Sequence, residues 1–133
     1  MTLQDKQLLA KDIFGRALTG LKVNYNGVTF TLGYNLYLEE GNVAFESYPM
    51  LYFLEGIETI KPYLRPMSSM DEKEREKFRK VGGVMSHNPQ NDYYAISAFT
   101  PEAYDWLNSH HFDYRGLIEK DIALEAPEGM YNV

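Results

Sequence analysis

The dipeptide Asn26-Gly27 constrains this chain more than any other local feature. It sits between two alternating runs, Leu21-Lys-Val-Asn-Tyr25 and Val28-Thr-Phe-Thr-Leu32. Asn-Gly in a two-residue connection predicts a type I′ turn, because that turn twists in the same sense as the strands it joins. The turn sets the register: Tyr25 opposite Val28, Val23 opposite Phe30 and Leu21 opposite Leu32. These six apolar side chains then share one face. Lys22, Asn24, Thr29 and Thr31 share the other. A sheet with one apolar face needs a second layer to cover it.

A covering helix is available directly upstream. Residues 2–18 have helical periodicity, with Thr2 as cap and Asp5 three residues on in a capping-box-like pattern. Leu9, Ile13 and Ala17 fall at i, i+4 and i+8, and Ala10, Phe14 and Leu18 form an adjacent row, giving a wide apolar stripe. Gly20 ends the segment. Downstream of the first hairpin, Tyr34 to Glu39 and Asn42 to Ser47 predict a second one turning near Glu40-Gly41. Tyr52 to Leu54 is a candidate short strand. Ile57 to Pro66 reads as a transition, since Pro62 and Pro66 limit any helix there to a turn or two.

Ser68 or Ser69 is the expected cap of a helix over about Met70 to Val81, with Asp71/Arg75 and Glu76/Lys80 as favourable i, i+4 pairs. Its few apolar positions make its charge run a solvated face. Gly82-Gly83 stops it. Val84 to Ser86 and Tyr93 to Phe99 predict a strand pair across His87 to Asp92. Thr100 with Pro101 and Glu102 is a strong helix start, because proline lacks the N–H that the first turn cannot use and the acid faces the positive end of the dipole. That helix reaches about His110. Asp113 is the expected cap of a short helix to Lys120. Ile122 to Ala126 is compatible with a final strand but has no decisive pattern, and 127–133 reads as a tail. No repeat or linker divides the chain, so 133 residues read as a single domain: a helix with hairpins over 1–56, mixed helices and a strand pair over 57–126, then the tail.

Composition narrows the function classes. Hydrophobic residues make up 44% and aromatics 14%, enough for a core and unlike a disordered chain. Cysteine is absent, which removes disulfides, thiolate metal sites and Cys nucleophiles. The formal net charge is −6, and Lys22 is the single basic residue between Leu18 and Thr59. Nucleic-acid binding needs a basic groove beside its aromatics, so the tyrosine-rich first half, with Tyr34, Tyr37, Tyr48 and Tyr52, argues for a half-buried sheet surface instead. The first ten residues lack the basic start and apolar run of a signal peptide, and no apolar run approaches the ~18 residues that span a membrane. The expectation is a cytoplasmic protein with no membrane association. No phosphate-cradling glycine loop, nucleophile elbow, H-E-x-x-H or paired cysteine occurs. No cofactor, no metal and no catalytic residue is assigned.

Chemistry-bearing residues gather in 99–117. This stretch holds the single Trp of the chain and two of its three His. The candidate interaction or ligand residues are Trp106, His110, His111, Asp113, Tyr114 and Arg115. Each also has a structural reading. Adjacent histidines on a helix point about 100° apart and do not share a metal easily, whereas at a helix C-terminus they cap carbonyls and complement the dipole. Asp113 can cap a helix while Arg115 bonds a carbonyl. Tyr104, Leu107 and His111 share one helical face and Trp106 and His110 another, a spacing that suits core packing.

Two segments, Lys61-Pro-Tyr-Leu-Arg-Pro-Met-Ser-Ser-Met70 and Trp106-Leu-Asn-Ser-His-His-Phe-Asp-Tyr-Arg-Gly-Leu-Ile-Glu-Lys120, resemble a group of short proteins encoded by gut Bacteroides-type bacteria and their prophages. The resemblance covers roughly residues 57–127 well and the β-rich first half more loosely. The group carries no assigned activity, so no catalytic residue transfers. A Gly often follows the helix in that group where this chain has Asp121, and a Gly there suits a left-handed cap. The setting implied is an accessory protein of a phage or mobile element, or of its host.

The sequence therefore predicts an α+β fold: an antiparallel sheet or small partly open barrel, with an N-terminal helix and C-terminal helices packed on it. The leading functional expectation is a non-enzymatic interaction domain acting through an unknown protein partner or through self-association. The alternative is a small enzyme or ligand-binding domain built on His110 to Arg115.

Overall fold

A computed structural model of the chain describes residues 1–16, 18–32, 36–39, 42–45, 60–88, 93–97 and 100–131, with the backbone alone described for Phe30, 36–39, 42–45, 85–88 and 93–97. The expected strand at Tyr52 to Leu54, like Tyr34, Tyr48 and Ala17, lies outside the described residues. The fold is α+β: an N-terminal helix, a mixed sheet of five strands that does not close, and a C-terminal helix.

Helix α1 spans Leu3–Arg16. Thr2 and Asp5 cap it reciprocally, as expected: the Asp5 N–H donates to Thr2 Oγ1 at 3.0 Å and the Thr2 N–H to Asp5 Oδ2 at 3.1 Å. These bonds to Thr2 hold the Asp5 carboxyl below its ordinary range. The buried face differs from the expected stripe. It consists of Leu9, Asp12, Ile13 and Arg16, while Phe14 and Leu18 are exposed. Leu9 and Ile13 are buried as expected, but the other half of the buried face is an i, i+4 acid–base pair that the apolar stripe did not include.

Strands β1 (Lys22–Tyr25) and β2 (Val28–Thr31) form the predicted hairpin. Val23 pairs with Phe30 and Tyr25 with Val28, and the Leu32 N–H donates to Leu21 O at 2.7 Å. Asn26 and Gly27 take φ of 50° and 80°, the two positive values a type I′ turn demands. Leu21, Val23 and Leu32 are buried, whereas Val28 at the tip is exposed. The second hairpin is also present, β3 (Leu36–Glu39) with β4 (Asn42–Phe45).

The central strand is the largest departure from expectation. Ile60–Pro66 is not a transition but β5, and it organises the sheet. β1 runs antiparallel to its first half. Two short strands join its second half in parallel: β8 (Phe112–Asp113) at Arg65 and Pro66, and β9 (Leu124–Glu125) at Tyr63 and Leu64. The Ala126 N–H donates to Leu64 O and the Arg65 N–H to His111 O, both at 2.7 Å. Those two groups of β5 belong to one trans peptide unit and point to opposite edges, so β9 and β8 flank the strand. Proline tells against a central strand because it cannot donate to a ladder. Pro62 lies opposite Val23 before β8 and β9 join, and Pro66 ends the strand. The compatible signal was the alternation itself: Ile60, Pro62 and Leu64 are buried, and Lys61, Tyr63 and Arg65 are half-buried.

A 3₁₀ turn, Met67–Ser69, leads into helix α2, Glu72–Lys80. Its cap is Asp71, not Ser68 or Ser69, in a reciprocal capping box with Glu74. Ser69 is spent on Pro66 O. Gly82 and Gly83 end α2 for a packing reason as well. A Cβ on Gly83 would lie 2.3 Å from the Phe78 ring, and Gly82, at φ 96°, abuts Thr100. Strands β6 (Val84–Asn88) and β7 (Tyr93–Ser97) form the third hairpin. Helix α3, Pro101–Ser109, starts as predicted. Thr100 Oγ1 accepts from the Ala103 N–H at 3.2 Å and donates to Val81 O, tying the end of α2 to the start of α3.

The segment after β8 corrects a further expectation. Residues 114–123 run as turns and bends, not as a helix to Lys120. Asp121 adopts φ 59°, the left-handed value expected of glycine there, and the Ile122 N–H reaches back to Leu117 O. Two apolar clusters meet at β5. One joins Leu9, Ile13, Leu21, Val23, Leu32, Ile60, Leu64, Leu117 and Ile122 between α1 and the sheet. The other joins Met67, Met70, Phe78, Ala103, Leu107 and Phe112 between α2, α3 and β8.

Candidate functional site

The six candidate residues do not converge on a common point. Trp106 lies half-buried in the second cluster, stacked on His110 with centroids 4.1 Å apart and on Phe112 at 5.7 Å, and tilted against Phe78 at 5.6 Å. His110 is the C-cap residue of α3. Its Nδ1 bonds Trp106 O at 2.9 Å and meets Ser109 Oγ at 3.1 Å, the carbonyl-capping role open to a histidine at a helix end.

His111 turns the other way. It follows the helix at φ 63°, in the left-handed region that glycine ordinarily fills at this place. Its N–H donates to Asn108 O and its carbonyl accepts from the Arg65 N–H. The side chain is buried, at 3% exposure, and its ring stacks on Tyr131 at 3.8 Å. Burial, and after it the positive charge of Arg16, lowers its pKa from the ordinary 6.5 to about 4.

Asp113 does act as a cap, for a turn and not a helix. Its two oxygens accept the Leu117 and Ile118 N–H groups, each at 2.9 Å. Arg115 bonds a carboxylate where a carbonyl was expected: its Nη1 lies 2.6 Å from Asp12 Oδ1. Tyr114 lies beneath both guanidiniums, 4.5 Å from Arg115 and 5.2 Å from Arg16, and donates its hydroxyl to Asn108 Oδ1 at 2.9 Å. Burial raises its pKa.

The groups that sequence reasoning passed over lie behind these. Asp12 and Arg16 are both fully buried. Arg16 bonds Asp12 through Nε and Nη2, each at 3.0 Å, and Nη2 also donates to Phe112 O at 2.6 Å. One carboxylate therefore serves two guanidiniums, Arg16 and Arg115. Arg16 Nη1 and His111 Nδ1 are buried with no hydrogen-bond partner among the described residues. Arg65 lies 4.2 Å over the Phe112 ring and forks onto Glu74 at 2.8 and 3.0 Å. The legible sign of the buried cluster was the Asp12/Arg16 spacing among Leu9 and Ile13. Nothing local marked Arg115 as its third member.

Among the described residues, no group of three His, Asp or Glu side chains is placed to hold a metal, and no helix is long and apolar enough to cross a membrane. No family model, curated protein or solved structure matches the chain.

Proposed function

We propose that this chain is a non-enzymatic interaction domain that acts through a protein partner or a second copy of itself, in the phage or mobile-element accessory setting its resemblance implies. The observation that carries the reading is the outward face of α1. Leu3, Phe14 and Leu18 are 71%, 60% and 60% exposed. Eleven residues separate the first two, which places them on one face of the helix, and Leu18 lies in the turn that follows it. Large apolar side chains exposed together on one helix and the turn after it have the composition of an interface centre.

Of the five polar candidates at 110–115, four are committed elsewhere and His111 is buried with its ring against Tyr131, which tells against the alternative, enzymatic reading. His110, Asp113 and Tyr114 are engaged with backbone or with Asn108, and Arg115 is engaged with Asp12. A catalytic group needs a free donor or acceptor facing substrate. The test is light scattering on size-exclusion fractions over a range of concentrations, with capture of partners from host lysate. Wild-type association lost in a Phe14→Ser/Leu18→Ser variant is the expected result. A strict monomer that captures nothing, with the double variant indistinguishable from it, would sink the proposal.

A further inference from the structure

The last described residues are not a loose tail. After β9, the Ala126 N–H bonds Leu64 O, a turn closes with the Met130 N–H on Pro127 O, and Gly129 takes φ 81°. The chain then presents Tyr131 to the sheet. Its hydroxyl accepts the Lys22 N–H at 2.9 Å and donates to Tyr63 O at 2.7 Å, so one phenol clips β1 to β5. Burial pushes the Tyr131 hydroxyl up to about 12, so it stays a donor at any physiological pH. Beside this strap lies a cavity of about 400 Å³, lined by Arg65 and Ser69 on one side and by Glu125, Glu128 and Tyr131 on the other.

The inner surface of the strap rests on His111. The charged and titratable groups around that ring come from every element near it, and they are mostly basic: Arg16 of α1, Lys22 of β1, Arg65 of β5 and His110 of α3, with Tyr131 on its face. The nearby carboxylates are committed, Asp12 to Arg16 and Arg115, and Asp113 to two backbone N–H groups. A proton on His111 would create a buried imidazolium among cations, with no acceptor for Nδ1 among the described residues.

We propose that His111 is a proton-operated latch: protonation expels its ring from the stack, releases Tyr131 from the β1–β5 junction and opens the cavity that the strap walls. The closed strap favours neutral His111, whose pKa is about 4 in place and 6.5 ordinarily. Its advantage is therefore complete above pH 6.5, falls progressively as pH drops from 6.5 to 4, and changes no further below that. Linkage sets the scale of the swing at on the order of a hundredfold in the closed-to-open ratio.

Hydrogen exchange of the whole chain tests this, read at Lys22 and 124–131 and corrected for the intrinsic rate at each pH. Strap protection is expected to fall about a hundredfold between pH 7 and pH 4 while α2 keeps its own. His111→Phe, which retains a stacking ring and cannot take the proton, is expected to remove that dependence. Should that variant fail to fold, an NMR titration of the wild-type His111 ring decides, with a midpoint well below 6 expected. The latch is overturned if strap protection is flat with pH, if α2 opens in parallel, if His111→Phe keeps the wild-type profile, or if the ring titrates at its ordinary value.

Discussion

Two arginines hold Phe112, one over its ring and one at its carbonyl, and their settings differ in kind. Arg65 is partly exposed, lies over the Phe112 ring and finds a whole carboxylate in Glu74 through a two-pronged fork. Arg16 is fully buried, holds the Phe112 carbonyl and shares Asp12 with Arg115, leaving its own Nη1 without a partner among the described residues. A matched fork near the surface contributes a modest net energy because water competes for both ends. A buried, shared carboxylate has its desolvation cost offset by geometry alone, and its worth shows mainly when one member is taken away. The first arrangement tethers α2 to the sheet. The second ties α1 to β8 and the turn after it, because the Asp12/Arg16 pair on one helix must meet Arg115, which lies 103 residues from Asp12 in sequence.

Breaking Asp12 should have the largest effect. Asp12→Ala leaves Arg16 buried without a counter-charge and is expected to cost about 3–5 kcal/mol in denaturant unfolding. A loss under about 1 kcal/mol would erase the distinction between the two arginines. Glu74→Ala removes the Arg65 fork and one half of the α2 capping box, yet Arg65 keeps Phe112 and reaches water. Its expected cost is about 1–2 kcal/mol, and a value above that of Asp12→Ala would reverse the ranking. The smallest effect belongs to Lys61→Ala. Its pair with Asp121 spans 3.4 Å, and Asp121 is 92% exposed. Its unfolding free energy should change by no more than about 0.5 kcal/mol in the same denaturant measurement.

What could be read ahead of the structure follows the same division. The Asn26-Gly27 turn, the Thr2 and Thr100 caps, the α2 stop at Gly82 and the α+β class were legible, since each is settled within a few residues of itself. Ser68 and Ser69 were the wrong caps because Asp71 competes better: it accepts the Glu74 N–H and Glu74 returns the bond. β5 was missed because two prolines outweighed a period of two, and a proline is excluded from a strand by its ladder neighbours, which lie elsewhere in the chain. At the candidate site, the splaying of His110 from His111 and the capping role of Asp113 were legible from helical geometry and side-chain chemistry. The partner of Arg115 was not, since Asp12 lies 103 residues away.

The sequence by itself determined the turns, the caps and the apolar content, because a backbone N–H at a helix start or a positive φ in a tight turn is answered by the nearest residues. Tertiary structure decided which face of α1 is buried, where β5 runs and what surrounds His111. Those outcomes depend on burial, and burial depends on groups that meet only when the chain has closed: Arg16 with the carbonyl of Phe112, and His111 with Tyr131. The Asn-Gly hairpin could be drawn from five residues on either side. The ring resting on His111 could not, because nothing near Tyr131 in the sequence says that it returns to the sheet.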